Sequence, residues 1–240
     1  MGGGISNAKS NHPTGRGEPK IASPEIGSIA VARIVGVLFI TATAATMISQ
    51  IMMEPLKAGA NLTVIADSHR ETLVSAVLFE IINALASAGI AITLYPILHR
   101  CAELPATGYL GMRLVEGAVG VTAAIGLIML LETEGPLTQL ALAMHDWMFL
   151  LVLIVFSVGT FLLYPMLFRF RIVPKTLAVW GLIGGAMLLS SCVSILFGWI
   201  EMGGTTDLIL SLPIWINEMA LAIWLIFKGF DLSYLVNESS

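Results

Sequence analysis

The stretch LFEIINALASAGIAITLYPILHR, Leu78–Arg100, decides how the whole chain is read. It is one apolar helix that carries a carboxylate, Glu80, and an amide, Asn83, within it. Taken from Leu73 to Leu98, the run is longer than the roughly 20 apolar residues of helix that cross a bilayer core about 30 Å thick. Transmembrane barrel strands are excluded, because they alternate apolar and polar residues over only about 10 positions. Five runs of the same kind accompany it: Ile29–Met53, Tyr109–Leu131, Trp147–Phe168, Leu177–Ile200 and Leu208–Phe227. The composition agrees, with 57% hydrophobic and 12% charged residues and a mean hydropathy of +0.89. A soluble domain needs more charge than that on its surface. The expected fold class is therefore all-α: a polytopic membrane protein with six transmembrane helices.

Charge distribution sets the expected orientation. The side that receives the N-terminal tail, the loops near Arg100 and Arg169 and the C-terminal tail collects Lys9, Arg16, Lys20, Arg33, Arg100, Arg113, Arg169, Arg171, Lys175 and Lys228. The opposite side holds only Lys57 and Arg70, together with the acids Glu54, Asp67, Glu71, Glu132, Glu134, Asp146, Glu201 and Asp207. The positive-inside rule then puts both termini in the cytoplasm of a multi-pass protein of the bacterial plasma membrane. Residues 1–27 are expected to be a disordered cytoplasmic tail, 28–230 the six-helix domain and 231–240 a short cytoplasmic tail. The first helix is expected to act as an uncleaved signal anchor. Met1-Gly2-Gly3-Gly4-Ile5-Ser6 matches the myristoylation pattern formally, a match read as accidental in a chain that six helices already anchor.

No basic stripe suggests nucleic acid, and Cys101 and Cys192, in no C-x-x-C motif, are expected to be free thiols. The chain contains no H-E-x-x-H, G-x-S-x-G or P-loop, and neither a metal nor a cofactor is expected. The bilayer itself is the expected partner, with a small-molecule or lipid ligand.

One short motif occurs twice. Leu94-Tyr95-Pro96-x-Leu98-x-Arg100 closes the second helix, and Leu163-Tyr164-Pro165-x-Leu167-x-Arg169 closes the fourth. Each part has a simple physical role: tyrosine at the headgroup level, proline against continuing the helix, and arginine held in the cytoplasm. The pair of endings nonetheless suggests a duplicated helix hairpin, helices 2–3 repeated as 4–5 about an axis along the membrane normal.

Glu80, Glu116 and Glu218 fall at depths that place them inside the hydrocarbon slab, where a charged residue costs about 2.5–3.5 kcal/mol on insertion scales. They are therefore expected to face the bundle interior. Glu80 and Asn83 share a helix face with the small residues Ala84, Ser87 and Ala91, and Arg113 and Glu116 share one with Gly117, Gly120 and Ala124. Gly181-x-x-x-Gly185 gives the fifth helix a similar close-packing face. Asn217 and Glu218 are neighbours about 100° apart around the axis, so only one can point at the centre. Each residue has a plainer reading. Arg113 and Glu116 can be an intrahelical pair near the headgroups, and Asn83 an interhelical hydrogen-bond residue. His145 and Asp146, at the expected outer mouth of the fourth helix, read as a polar helix start ahead of a proton-accepting dyad. Thr41, Thr43, Thr46 and Ser49 read as hydroxyls bonded back to their own helix.

Taken together, these segments resemble the bacterial membrane proteins grouped as domain of unknown function 4386. The resemblance rests on Arg33-Ile-Val-Gly36, Leu78-Phe-Glu-Ile-Ile-Asn-Ala-Leu85, Gly108-Tyr-Leu-Gly-Met-Arg-Leu-Val-Glu116, His145-Asp-Trp147, Arg171-Ile-Val-Pro174, Trp180-Gly-Leu-Ile-Gly184, Asn217-Glu-Met219 and Trp224-Leu-Ile-Phe-Lys-Gly229, spanning residues 29–230. It implies a six-helix membrane domain of bacterial origin and supplies no catalytic residues.

The reading that fits best is a binding or transport module. Its polar cavity, among helices 2, 3 and 6, would take a proton, a small solute or a lipid headgroup through Glu80, Asn83, Arg113, Glu116, Asn217 and Glu218. Two rivals are an intramembrane enzyme that acts on a lipid with a buried glutamate as general base, and a structural or regulatory subunit. An enzyme should gather its polar groups at one depth near an opening, whereas a proton-coupled carrier can spread them along a path.

Overall fold

The computed structural model describes residues 24–58, 70–133 and 136–231, with side chains of the first helix described from Ile29 to Glu54. Residues 1–23, with the myristoylation match, residues 59–69, 134–135 and 232–240, and the Lys57 side chain lie outside this description. Among the described residues there are six long helices: α1 (Pro24–Ala58), α2 (Arg70–Cys101), α3 (Glu103–Met129), α4 (Pro136–Arg169), α5 (Lys175–Leu196) and α6 (Thr205–Phe227). All six are long and apolar enough to cross a membrane.

Proline sets two of the starts, since its fixed φ and missing N–H suit the first helical position, as at Pro24 and Pro136. Glycine in the left-handed region follows the last turns of α5 and α6, with Gly198 at φ 71 and Gly229 at φ 76. Most boundaries differ from the apolar runs by a few residues, with α1 ending at Ala58 rather than Met53 and α3 beginning at Glu103 rather than Tyr109. Residues 24–27 belong to α1 rather than to the tail. The fourth helix begins at Pro136 rather than Trp147, and α5 ends at Leu196 rather than Ile200. The repeated prolines do not end their helices either: Pro96 and Pro165 lie inside α2 and α4. A proline is tolerated there because neighbouring helices and local adjustments satisfy the backbone groups it frees.

Each helix packs on the next in the chain, and α1 closes the circle against α6. Contacting pairs show that neighbours run antiparallel. Gly89 meets Leu38 while Ser49 reaches Ala76, and Gly126 meets His145 while Gly159 meets Tyr109. The bundle thus has a tail end, where α2 and α4 finish, and a vestibule end, where they begin.

On α2, the exposed stripe Leu78, Ile82, Leu85 and Ile92 is opposed by the buried Glu80, Ala84, Ser87, Ala91, Leu94 and Leu98. Large aliphatic side chains face outward on the other helices too, including Ile34, Ile51, Ile125, Ile183 and Ile223. Such a surface suits hydrocarbon, not water, and the polar side chains turn inward.

Small residues bring the helices together. A Cβ at Gly181 would strike the Tyr164 ring and one at Gly185 would strike the Thr160 hydroxyl, so the glycine pair of α5 is where α4 docks. A Cβ at Gly117 would come within 3.1 Å of the Ala84 carbonyl oxygen, fixing α3 against the polar face of α2.

Candidate functional site

The centre of the ring is organised by Arg113 of α3, which is only 4% exposed. Its Nη1 donates to Glu116 Oε1 at 2.9 Å and to Oε2 at 3.1 Å, one turn along the same helix. Its Nε donates to the Tyr109 hydroxyl at 3.1 Å. On the other side, Nη2 lies 3.6 Å from Glu218 Oε1 of α6. The guanidinium also sits over the rings of Phe156 at 4.9 Å, Tyr109 at 5.7 Å and Phe39 at 5.8 Å, a cation–π setting that helps to hold a desolvated charge. The two carboxylates have further donors. Ser87 of α2 donates to Glu116 Oε1 at 2.9 Å, and Thr43 of α1 donates to Glu218 Oε2 at 3.3 Å. A planar, five-donor side chain that stacks on aromatic rings can meet all these partners at once, and lysine could not.

Glu80 belongs to a second cluster. Its Oε1 accepts from Ser49 of α1 at 3.3 Å and lies 2.7 Å from His145 Nε2 of α4. His145 Nδ1 in turn lies 3.1 Å from Asp146 Oδ1. Ser49, beside Glu80, and Thr43, beside Glu218, are six residues apart on α1, so the two clusters are about 9 Å apart along the axis. The depths are spread.

Two chambers with shared wall residues lie beside the clusters. The central chamber has about 50 Å³ of room for the centres of water-sized molecules, and Arg113, Glu116, Glu218, Ser87, Thr43 and Asn83 line its polar side. A smaller chamber of about 10 Å³ adjoins it, lined by Ser49, Gln50, Glu80 and Asn83, with Thr46, Phe149 and Val152 common to both. A vestibule of about 450 Å³ opens at the end where α6 begins, lined by Glu54, Asp146 and Asp207 among apolar side chains. Met47, Phe149, Leu153 and Trp215 border both vestibule and central chamber, forming an apolar layer between them.

The structure places the sequence-derived candidates as follows. Glu116, Glu218 and Arg113 meet at the central chamber, Glu80 at the small one, and Asn83 borders both. Arg113 and Glu116 do form an intrahelical pair, buried in the bundle interior and tied to α6. Asn217 lines neither chamber. It accepts from the Tyr164 hydroxyl at 2.7 Å and donates to the Leu177 carbonyl at 2.9 Å, joining α4, α5 and α6. Tyr164 is accordingly buried among the helices. His145 is not a polar helix start: α4 begins nine residues earlier, and the imidazole is completely buried. Asp146, the more exposed neighbour, does line the vestibule.

Among the hydroxyls of α1, Thr41 and Thr46 bond back to Val37 and Ala42. Thr43 and Ser49 instead cross to other helices, which corrects their reading as local bonds. The spacing of Thr43, Thr46 and Gln50, three and then four residues, was the signal that α1 has a polar face. The Cys101 thiol donates to the Ile97 carbonyl at 3.5 Å, and Cys192 is a buried free thiol. Among the described residues, no group of three His, Cys, Asp or Glu side chains is placed to hold a metal ion.

A family model described as "Domain of unknown function (DUF4386)" matches residues 34–229, from within α1 to just past the end of α6. The chain belongs to the DUF4386 family. The match covers all six helices and both clusters, so the polar interior lies within the family's domain. Neither the curated proteins nor the solved structures give a match.

Proposed function

We propose that this DUF4386 protein is a binding or transport module of the bacterial plasma membrane whose polar interior takes up a proton or a small polar solute. The observation that carries this reading is the meeting of Glu80, Arg113, Glu116, His145 and Glu218 inside a ring of apolar helices, around chambers next to a vestibule. Intramembrane ionisable groups are costly to insert and mark solute and proton pathways when they converge on a cavity. The 9 Å separation of the two clusters supports a path over a single reaction centre, and the central chamber is too small to admit a lipid headgroup without rearrangement.

In this proposal both termini are cytoplasmic, because the Lys and Arg residues gather at the tail end. The vestibule then faces the outside. The two hairpins, α2–α3 and α4–α5, derive from a duplication. Its support is the equivalent placement of the repeated string: Leu94 and Leu163 are both buried, as are Leu98 and Leu167, while Arg100 and Arg169 are both exposed.

The test is reconstitution of the full-length protein into lipid vesicles containing a pH-sensitive dye, with an imposed potassium diffusion potential. Wild-type vesicles should change internal pH faster than empty ones, and Glu218→Gln vesicles should lose most of that difference. Wild-type vesicles as tight to protons as empty ones would remove the proton from the proposal.

A further inference from the structure

The geometry points to a proton-loading relay, Asp146–His145–Glu80, that exchanges protons between the vestibule and the interior around the apolar layer of Met47, Phe149, Leu153 and Trp215. The inference rests on the proton reading of the proposed function and deepens it.

Three observations carry it. Asp146 lines the vestibule with a side chain 29% exposed, His145 is wholly buried behind it, and Glu80, only 8% exposed at its side chain, lies behind His145. The heavy-atom distances, 3.1 Å and then 2.7 Å, form an unbroken chain of hydrogen bonds, and both ring nitrogens of the imidazole are engaged. Glu80 Oε2 has no hydrogen-bond partner among the described residues, and neither does Gln50 Nε2; both residues line the small chamber. About 10 Å³ is of the order needed to seat one water between such a donor and acceptor. A side chain that served only to hold α2 against α4 would not need a free carboxyl oxygen on the chamber whose wall, at Asn83, is shared with the central one.

Backbone packing fixes the register. A Cβ on Gly126 would lie 2.9 Å from the His145 backbone nitrogen, so α3 holds α4 at this position. Among the described residues, the polar and charged groups near the relay are Ser49 and Gln50 from α1, Asn83 from α2, and the Arg113–Glu116–Glu218 cluster in the next chamber, with Glu54 and Asp207 in the vestibule.

The step moves one proton and leaves the imidazole neutral. A protonated Asp146 carboxyl gives its proton to His145 Nδ1 while Nε2–H gives its own to the Glu80 carboxylate at Oε1. The O–H bond at Asp146 and the N–H bond at Nε2 break, and an N–H at Nδ1 and an O–H at Glu80 form. Asp146 is left as a carboxylate to be reprotonated from vestibule water, and unloading runs the same steps in reverse. Histidine suits this role because its two ring nitrogens can donate and accept together.

The experiment is a rapid pH jump on the full-length protein in lipid vesicles, following the protonated-carboxyl infrared band that Glu80→Gln removes. In the wild type, this band should rise with the jump. His145→Ala should slow the rise about a hundredfold or more, the scale of a lost proton-transfer group, without abolishing its final size, and added imidazole should restore much of the rate. Asp146→Asn should slow it comparably while leaving the helical content and melting temperature near wild type. Unchanged rates in both variants would overturn the relay and leave the proposed function standing. A Glu80 band that never responds to pH would also overturn it, whatever the vesicle flux assay gives. Slowing in His145→Ala that imidazole does not relieve, with Asp146→Asn at the wild-type rate, would reduce His145 to a packing residue.

Discussion

His145 Nε2 lies 2.7 Å from Glu80 Oε1, joining α4 to α2 in the interior of the bundle through residues 65 positions apart in the chain. The contact explains why a carboxylate stands in the middle of an otherwise apolar helix. It gives Glu80 a partner on a neighbouring helix and leaves its second oxygen for the small chamber.

Glu80→Gln keeps an acceptor for Ser49 and for His145, so its thermal stability in detergent should stay within about 1 kcal/mol of wild type. Glu80→Ala leaves the buried His145 Nε2 without its partner and Ser49 with only the Ala76 carbonyl, and should lose about 1–3 kcal/mol. A Gln variant that melts as early as Ala would mean that Glu80 holds the bundle chiefly through its charge.

Arg113 faces two carboxylates in the interior. Arg113→Met leaves Glu116 and Glu218 without their cation and should cost about 3–5 kcal/mol, the penalty typical of a buried pair broken on one side. Adding Glu116→Gln and Glu218→Gln to the same chain should recover a large part of that loss. Equal melting temperatures for the single and triple variants would contradict the electrostatic account.

Gly181→Ala drives a methyl group into the Tyr164 ring, and Tyr164 is itself held by Asn217. Overpacking of this kind typically costs about 1–3 kcal/mol. Gly111→Ala, by contrast, meets no atom within 4 Å and should be neutral or slightly stabilising by melting temperature. A ranking in the opposite order would show that α4 and α5 do not dock as described.

Asn217→Ala removes an acceptor for the Tyr164 hydroxyl and a donor to the Leu177 carbonyl. The expected loss is about 1–3 kcal/mol of stability, with the Glu80 proton-exchange rate unchanged because Asn217 lines neither chamber. A slowed exchange in a variant that is still folded would connect Asn217 to the proton path after all.

For topology, a reporter fused after Ser240 should be active only in its cytoplasmic form. Periplasmic activity would reverse the proposed orientation and put the vestibule inside the cell.

The number of helices and the inward-facing carboxylates were legible in the sequence because both follow from local free energies along one chain. Runs such as Leu73–Leu98 are read segment by segment from length and hydropathy. The 3.6-residue repeat puts Glu80, Ala84, Ser87 and Ala91 on one face whatever packs against it. The Gly181–Gly185 pair announced a close approach, because small residues are what allow membrane helices to approach closely.

Which partner each polar group meets was decided only by the tertiary structure. Such pairings depend on how each helix is rotated about its axis and displaced along it relative to a neighbour, and hydropathy is blind to both. Trp147 looked like a helix start because the polar pair His145-Asp146 interrupts the apolar run; α4 continues through it because Glu80 and Asp146 satisfy the imidazole. Thr43 and Ser49 looked locally bonded because every helical hydroxyl has a carbonyl one turn back, and only the approach of α6 and α2 offered them carboxylates instead. Arg113 and Glu218 are 105 residues apart in sequence and 3.6 Å apart in space only because α1 closes the ring against α6. Sequence alone gives six helices long and apolar enough to cross a bilayer and the carboxylate-bearing faces that turn inward, since both follow from local residue patterns, whereas the site exists only once six independent rotations are fixed together by packing.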